Sequence, residues 1–201
     1  MKYLVTGAAG FIGSHLVERL VDKGHDVVAL DNLSTGYRRN VDPFLEEIEF
    51  IEGDIRDEQV CHESCDGVDH VLHQAALGSV PRSVERPIDS HACNATGTLN
   101  MLVAARDAEV ESFVYAASSS VYGNTEELPK RETMKHRPRS PYATSKATGE
   151  LYLQNFANIY GLSAVGVRYF NVFGPRQDPE GPYAAVIPKF IDLMLEGERP
   201  V

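Results

Sequence analysis

The sequence predicts an α/β protein built on a doubly wound parallel sheet, with the start of a smaller domain at its C-terminal end. Three observations predict it. Short apolar runs alternate with amphipathic helical patterns along most of the 201 residues. The first run leads directly into glycines at positions 7, 10 and 13, and a helix follows. The second run ends in an acid, Asp31. Strand, glycine turn, helix and strand-end acid in that order make one βαβ unit, the repeating piece of such a sheet.

Tyr3-Leu4-Val5 reads as a buried strand. Phe11, Ile12, Leu16, Val17 and Leu20 then share one helix face. Gly24 stands where a helix C-terminus favours a left-handed residue. Asp26–Asp31 is the second strand, Ile48–Glu52 the third and Val68–His73 the fourth, with the polar stretch 32–40 as a turn-rich connection. Gly78–Ser83 reads as a loop, and Pro87 as a break before one long helix from Ile88 to Ala108. Val110–Ala117 is the fifth strand, with Ser118, Ser119 and Ser120 at its end. Residues 121–141 read as a loop, Tyr142–Tyr160 as a helix and Ser163–Arg168 as the sixth strand. The alternation stops near Phe173. Gly174–Tyr183 is a Pro/Gly-rich crossing and Ala185–Glu196 a last helix. Residues 1–172 therefore read as one domain and 173–201 as the beginning of a second. The plan is unfinished at Val201, so a continuation is expected.

The first βαβ unit carries the chemistry of dinucleotide binding. Gly7 permits a tight turn, Gly10 lets the backbone approach a pyrophosphate, and Gly13 lets the helix pack closely. The free N–H groups at the helix start then face the phosphates. An ordinary glycine-rich βα turn is the bland alternative, and the flanking strand and helix disfavour it. Asp31, about 20 residues on, can accept hydrogen bonds from the adenosine ribose. A carboxylate there repels a 2′-phosphate and so favours NAD over NADP, although Arg38 and Arg39 lie nearby. Asp54, past the third strand, can accept from an adenine amino group or cap the next helix, and the two are compatible. Gln74-Ala75-Ala76 puts small residues where a cofactor crosses the strand ends.

Composition narrows the function classes. A net charge of −10 disfavours nonspecific nucleic-acid binding. No apolar run approaches the ~20 residues of a membrane span, and no leader pattern precedes the first strand. Three cysteines, Cys61, Cys65 and Cys93, give no disulfide framework and suit a reducing cytoplasm. Cys61, His62 and Cys65 lack a second ligand pair, so no metal is expected. His73 reads as a packed or hydrogen-bonded histidine.

Tyr142 and Lys146 stand four apart, on one helix face. A free phenol, with a pKa near ~10, is a poor base at neutral pH. A neighbouring cation favours the phenolate, and the cationic ring of an oxidised nicotinamide pushes the same way. Ser118, at the end of the neighbouring strand, can share a proton with Tyr142 and hold a substrate oxygen. Together they can take a proton from an alcohol while NAD takes the hydride.

Thr6-Gly-Ala-Ala-Gly-Phe-Ile-Gly13, Asp31-Asn32, Gly53-Asp54, Ser118-Ser-Ser-Val-Tyr-Gly123, Tyr142-x-x-x-Lys146 and Arg168-Tyr-Phe-Asn-Val-Phe-Gly174 occur in one order. The chain thereby resembles the extended short-chain dehydrogenases/reductases, a Rossmann-type family, and most of all the NAD-dependent UDP-sugar 4-epimerases. The resemblance runs through the whole chain, and family members are usually longer at the C-terminus. It implies that NAD stays bound while Tyr142 removes the proton from the sugar 4-hydroxyl. C4 passes hydride to the nicotinamide, the 4-keto sugar turns over, and hydride returns to the opposite face. Ser118 aligns with the family's catalytic Ser/Thr, and Lys146 holds the nicotinamide ribose. The Phe11 and Ile12 amides would meet the pyrophosphate, and Asp54 and Ile55 the adenine. Ala75, Ala76 and Asn94 line the cofactor, joined by Asn32, Ser34, Gly36, Gln74 and Tyr169. The substrate side comprises Gly78, Ser79, Ser118, Ser119, Ser120, Tyr142, Asn171, Gln177 and Ala185. A homodimer through the helices near 88–108 and 142–160 is also implied.

Ser119 and Ser120 separate reaction types. Related 4,6-dehydratases need an added acid/base pair directly after the Ser/Thr, and related decarboxylases often carry a Glu before Val-Tyr-Gly. Neither serine supplies a carboxylate, so simple epimerisation is favoured. The loops around Gly78 and Ala185 look like the branch that accepts UDP-GlcNAc and UDP-GalNAc, with UDP-glucose and UDP-galactose still open. Two other readings remain: another NAD-linked nucleotide-sugar enzyme, such as a uronate epimerase or dehydratase, and a noncatalytic NAD-binding protein.

Overall fold

The computed structural model describes residues 1–178 and 186–199. Six strands, β1 (Lys2–Thr6), β2 (Asp26–Asp31), β3 (Ile48–Glu52), β4 (His70–His73), β5 (Ser112–Ser118) and β6 (Ala164–Tyr169), form one parallel sheet. Their order is β3-β2-β1-β4-β5-β6. The order reverses between β1 and β4, and that switch point opens a crevice at the carboxyl ends of the strands. This is the doubly wound, Rossmann-type sheet expected from the alternation.

Both sheet faces bury apolar side chains, as parallel strands require. Leu4, Val28, Leu30, Val71, Phe113 and Tyr115 face one way, beneath α2 (Glu58–Cys65) and, further along the chain, α5 (Gly97–Asp107) and α6 (Pro141–Tyr160). Val5, Val27 and Ala29 face the other way, beneath Val17 and Leu20 of α1 (Phe11–Asp22). Gly24 follows α1 with φ +72°, as the left-handed position demands. Cys61 and Cys65 are core residues of α2, and burial pushes both thiols up to about 12. No helix among the described residues is long and apolar enough to cross a membrane.

The structure departs from the sequence reading at three places. α3 (Val80–Glu85) lies in the stretch read as a loop. Ser79 caps it, accepting from the Arg82 amide at 3.1 Å, and Pro81 sits in its first turn, where a missing N–H costs nothing. The helix read as continuous from Ile88 to Ala108 is α4 (Pro87–His91), a π-helical turn (Ala92–Thr96) and α5. The wide turn lets Gly97 approach Ile55, where a Cβ would lie 2.6 Å from Ile55 Cδ1. Finally, Asp57 rather than Asp54 caps α2, accepting from the Gln59 amide at 2.9 Å. The last helix, α7 (Val186–Leu195), lies within the range expected for it. The crossing's residues 179–183 and Ala185 lie outside the described residues.

A Cβ on Gly13 would stand 2.0 Å from Gly7 O and 2.7 Å from Gly7 C, backbone atoms that cannot step aside. Gly13→Ala is therefore expected to lower folding stability by about 1–3 kcal/mol. A urea unfolding midpoint measured beside that of the parent checks this.

Candidate active site

The first βα turn joins three strand ends. Gly7 has φ +67°, donates to Leu30 O of β2 at 2.8 Å, and presents its bare Cα to Ala75 beyond β4. A Cβ there would lie 2.8 Å from Ala75 N. Ala9 then donates to Asp31 Oδ2 at 2.9 Å, and Leu33 to Asp31 Oδ1 at 2.8 Å. Burial raises the Asp31 carboxyl above its usual range, and these two amides oppose it. Each carboxylate oxygen keeps a lone pair for a further donor.

Above this turn runs a cleft of about 890 Å³, at the large end of ligand sites. Gly7, Gly10, Phe11, Ile12 and Gly13 line one wall, followed by Asp31, Asn32 and Ser34. Ile55, Gln74, Ala75, Ala76 and Gly78 continue it. Ser118, Tyr142, Lys146, Tyr169, Asn171 and Gln177 complete the far end.

Six residues named from the sequence stand off that wall. Gly36 packs behind the glycine turn, where a Cβ would lie 2.8 Å from the Ala9 carbonyl carbon. Asp54 is held by Arg56, which donates from Nε at 2.9 Å and Nη2 at 2.6 Å, and by Asn32 Nδ2 at 2.7 Å. The guanidinium holds its carboxyl down at about 2. Arg56 itself lines the cleft. Asn94, in the π-helical turn, is fully buried and clamps the loop beyond β4: its Oδ1 accepts from Leu77 N at 2.7 Å and its Nδ2 donates to Leu77 O at 3.2 Å. Ser79 caps α3. Ser119 and Ser120 lie in the 3₁₀ segment Ser119–Tyr122. Ala185 lies outside the described residues.

The chemical groups meet at the ends of β5 and α6. Ser140 caps α6 and Pro141 enters its first turn, so Tyr142 sits at the helix start beside Ser118. Ser118 Oγ accepts from Ser120 Oγ at 2.9 Å and from Ser120 N at 3.2 Å. Its own O–H is then left to donate. Burial raises the Tyr142 phenol above its ordinary value, and hydrogen bonding from Ser118 acts in the opposite direction. The direction is therefore the reverse of the lowering expected from Lys146. Lys146 is 3% exposed, donates to Ala116 O at 2.9 Å and lies 5.0 Å from the Tyr115 ring centroid. Desolvation brings its ammonium down to about 8. Two of its three N–H groups remain for a ligand.

Two buried networks stand behind the site, the first around His73, which was expected to be packed or hydrogen-bonded. Thr98 Oγ1 donates to Asn94 O at 2.8 Å, so it accepts from His73 Nε2 at 3.0 Å. His73 Nδ1 then accepts from Thr6 Oγ1 at 2.8 Å, and Thr6 accepts from Ala75 N at 3.1 Å. Burial brings His73 down to about 3, so it is a neutral relay that fixes the ends of β1 and β4. On the other side, Arg168 Nη2 donates to Glu150 Oε2 at 2.7 Å, and its guanidinium lies 4.8 Å from the Tyr122 ring centroid. The pair ties α6 to β6 and to the turn after Ser118. Helical spacing puts Glu150 on the face of Tyr142 and Lys146, a hint available from sequence; its partner is set by tertiary structure.

The cleft fits a dinucleotide. Gln74 Oε1 is a buried acceptor on its wall without a hydrogen-bond partner among the described residues. The glycine turn leaves backbone at the start of α1, and Asp31 and Lys146 offer an acceptor and donors on the cleft wall. Arg38 lies near Asp42 and Glu52, at 3.5 and 3.6 Å. Arg39 lies over Tyr37, 4.2 Å from its centroid.

The NAD dependent epimerase/dehydratase family matches residues 3–201. A UDP-glucose 4-epimerase of Mycolicibacterium smegmatis is 42% identical over 201 residues, covering 98% of this chain and 64% of that enzyme. The UDP-N-acetylglucosamine 4-epimerase of Methanobrevibacter ruminantium, solved with UDP-N-acetylmuramic acid, is 43% identical with a TM-score of 0.93 over 98% of this chain and 63% of its own. The UDP-glucose 4-epimerase of Thermus thermophilus, solved with NAD, is 44% identical with a TM-score of 0.89, covering 98% and 64%. The chain thus spans just under two thirds of the length of these relatives.

The buried ammonium makes a pH-dependent prediction. Lys146 has a folded value of about 8, below the ~10.4 of an unfolded lysine. Its neutral form is favoured by folding, so that contribution is complete above about pH 10.4 and is lost as pH falls to 8. The parent is expected to gain about 3 kcal/mol relative to Lys146→Met between pH 8 and pH 10.4. Paired urea titrations at the two pH values check this.

Proposed function

The chain belongs to the NAD dependent epimerase/dehydratase family, and from that premise we propose that it carries the cofactor-binding and proton-transfer parts of a UDP-hexose 4-epimerase. The observation that supports this most is the meeting of Ser118, Tyr142 and Lys146 on one cleft wall, with serines rather than carboxylates after Ser118. NAD, when bound, accepts hydride from a sugar carbon and returns it. Residues 1–172 form the NAD-binding domain in this reading, and residues from 173 on begin the substrate domain.

Each residue has a task that follows from its surroundings. Asp31 accepts from ribose hydroxyls, and its burial, together with the engagement of Arg38 and Arg39 elsewhere, supports NAD over NADP. Lys146 supplies two N–H donors to the nicotinamide ribose and a positive charge beside Tyr142. Ser118, with both lone pairs taken by Ser120, donates its one O–H to the sugar 4-hydroxyl oxygen. Tyr142 takes the proton from that hydroxyl and later returns it to the 4-keto oxygen, as hydride is delivered to the opposite face of C4. Burial raises the phenol above its ordinary value, and the cationic ring of an oxidised nicotinamide, when bound, would favour the phenolate.

The substrates in this reading are UDP-GlcNAc/UDP-GalNAc and UDP-glucose/UDP-galactose, supported by relatives named for each. Exposed apolar side chains at Val84, Ile88 and Leu151 support a homodimer through α3, α4 and α6. The cysteines, none of them paired, support a cytoplasmic location.

The longest available form of the protein, given no NAD, is expected to convert UDP-GlcNAc or UDP-glucose to its C4 epimer, read from anomeric NMR signals. Tyr142→Phe is expected to slow this by about 10²–10⁴-fold. Conversion of UDP-glucuronate alone, or none with NAD added, would replace this reading.

A further inference from the structure

We propose that residues 171–178 form a strap that crosses the mouth of the dinucleotide cleft and retains the cofactor, with Glu18 and Tyr37 as positioning residues acting through it. The proposal rests on the dinucleotide reading above. It starts from the path of the chain. After β6, Asn171 and Val172 line one side of the cleft, and Gln177 lines it again. Between and beyond them the chain is fastened to the opposite side. Gly174 lies against Phe11, with its Cβ position 3.4 Å from the Phe11 ring. His15 Nε2 donates to Pro175 O at 2.9 Å. Arg176 Nη2 donates to Glu18 Oε2 at 2.6 Å. Tyr37 hydroxyl donates to Asp178 Oδ2 at 2.7 Å.

These fastenings join residues 141 to 160 positions apart in sequence. They all land on the platform that forms the glycine wall. His15 and Glu18 belong to α1, and Tyr37 is tied to the glycine turn by its amide, which donates to Ala9 O at 3.0 Å. Arg176 is held at φ +64°, a conformation non-glycine residues adopt only when surrounding contacts impose it. Gln177 Oε1 is buried without a hydrogen-bond partner among the described residues, beside the same cleft. A dinucleotide lying between the glycine turn and the strap is enclosed on both sides. Neither Glu18 nor Tyr37 lines the cleft, and the Glu18 carboxylate and the Tyr37 hydroxyl each bond the strap. A shuttle that accepts and returns one hydride benefits from a cofactor that stays in place between the two steps.

The test follows bound NADH by fluorescence, with no sugar present. Release is measured by chasing with excess NAD, and entry by rapid mixing, in the parent, Glu18→Gln, Tyr37→Phe and the double variant. Arg19→Gln, which removes a charge from the exposed side of α1, is the control. The double variant is expected to release and admit NADH at least tenfold faster, with the control unchanged. The charge exchange Glu18→Arg with Arg176→Glu is expected to restore slow release. Release within twofold of the parent in the folded double variant would overturn the strap. Faster release without faster entry would also overturn it, because that marks a weakened site rather than an opened one. A parent that binds no NADH would overturn both the strap and the dinucleotide reading. Strap kinetics as expected in a protein that epimerises no sugar would remove the proposed function and leave the strap standing.

Discussion

The structure depends on one backbone crossing, where Gly7, Gly13 and Ala75 approach more closely than side chains allow. Gly7 bonds to the end of β2 and touches the chain leaving β4, while Gly13 presses the first turn of α1 onto Gly7 O. Three strand ends and a helix start are brought to one point. The sheet order then turns outward in both directions from β1, and a crevice opens above that point. Everything the cleft offers is measured from this crossing: Asp31 through its bond to Ala9, the loop 32–40 through Tyr37 and Asn40 to the same carbonyl, and Gln74 to Ala76 through Thr6.

At the other end of the cleft the governing term is desolvation. It raises Tyr142 and lowers Lys146, so each is moved toward its neutral form. Neutral, fully bonded groups surround the pair: His73 between two threonines, Asn94 clamping Leu77, and Ser118 accepting from Ser120. The charged Glu150 and Arg168 neutralise one another at the back of α6.

Much of this was legible in the sequence because it is local. β2 and β3 match their sequence ranges, and α1 and α6 match within two residues, because periodicity and capping are written in neighbouring residues. The glycine turn and the Tyr142–Lys146 spacing are legible for the same reason. The rest is set by partners distant in sequence. Pro81 lies in a stretch that reads as a loop but occupies a first helical turn. A π-helical turn has no periodic signature, yet it carries Asn94 into the core. The Asp54 carboxylate is also bonded by Asn32, 22 residues away, a contact that no local pattern announces. The weight of burial on Tyr142 was also invisible, since helical spacing gives the neighbours of a side chain and not its exposure.

The most direct measurement of the central claim, a single hydride moved and returned within one cleft, uses a UDP-hexose labelled with deuterium at C4. The longest available form of the protein would be incubated with it in ordinary water, and the product analysed by NMR and mass. The account predicts an epimer inverted at C4 that keeps its deuterium there. Inversion with the label lost to solvent would contradict it, because that outcome means proton exchange at carbon rather than hydride return.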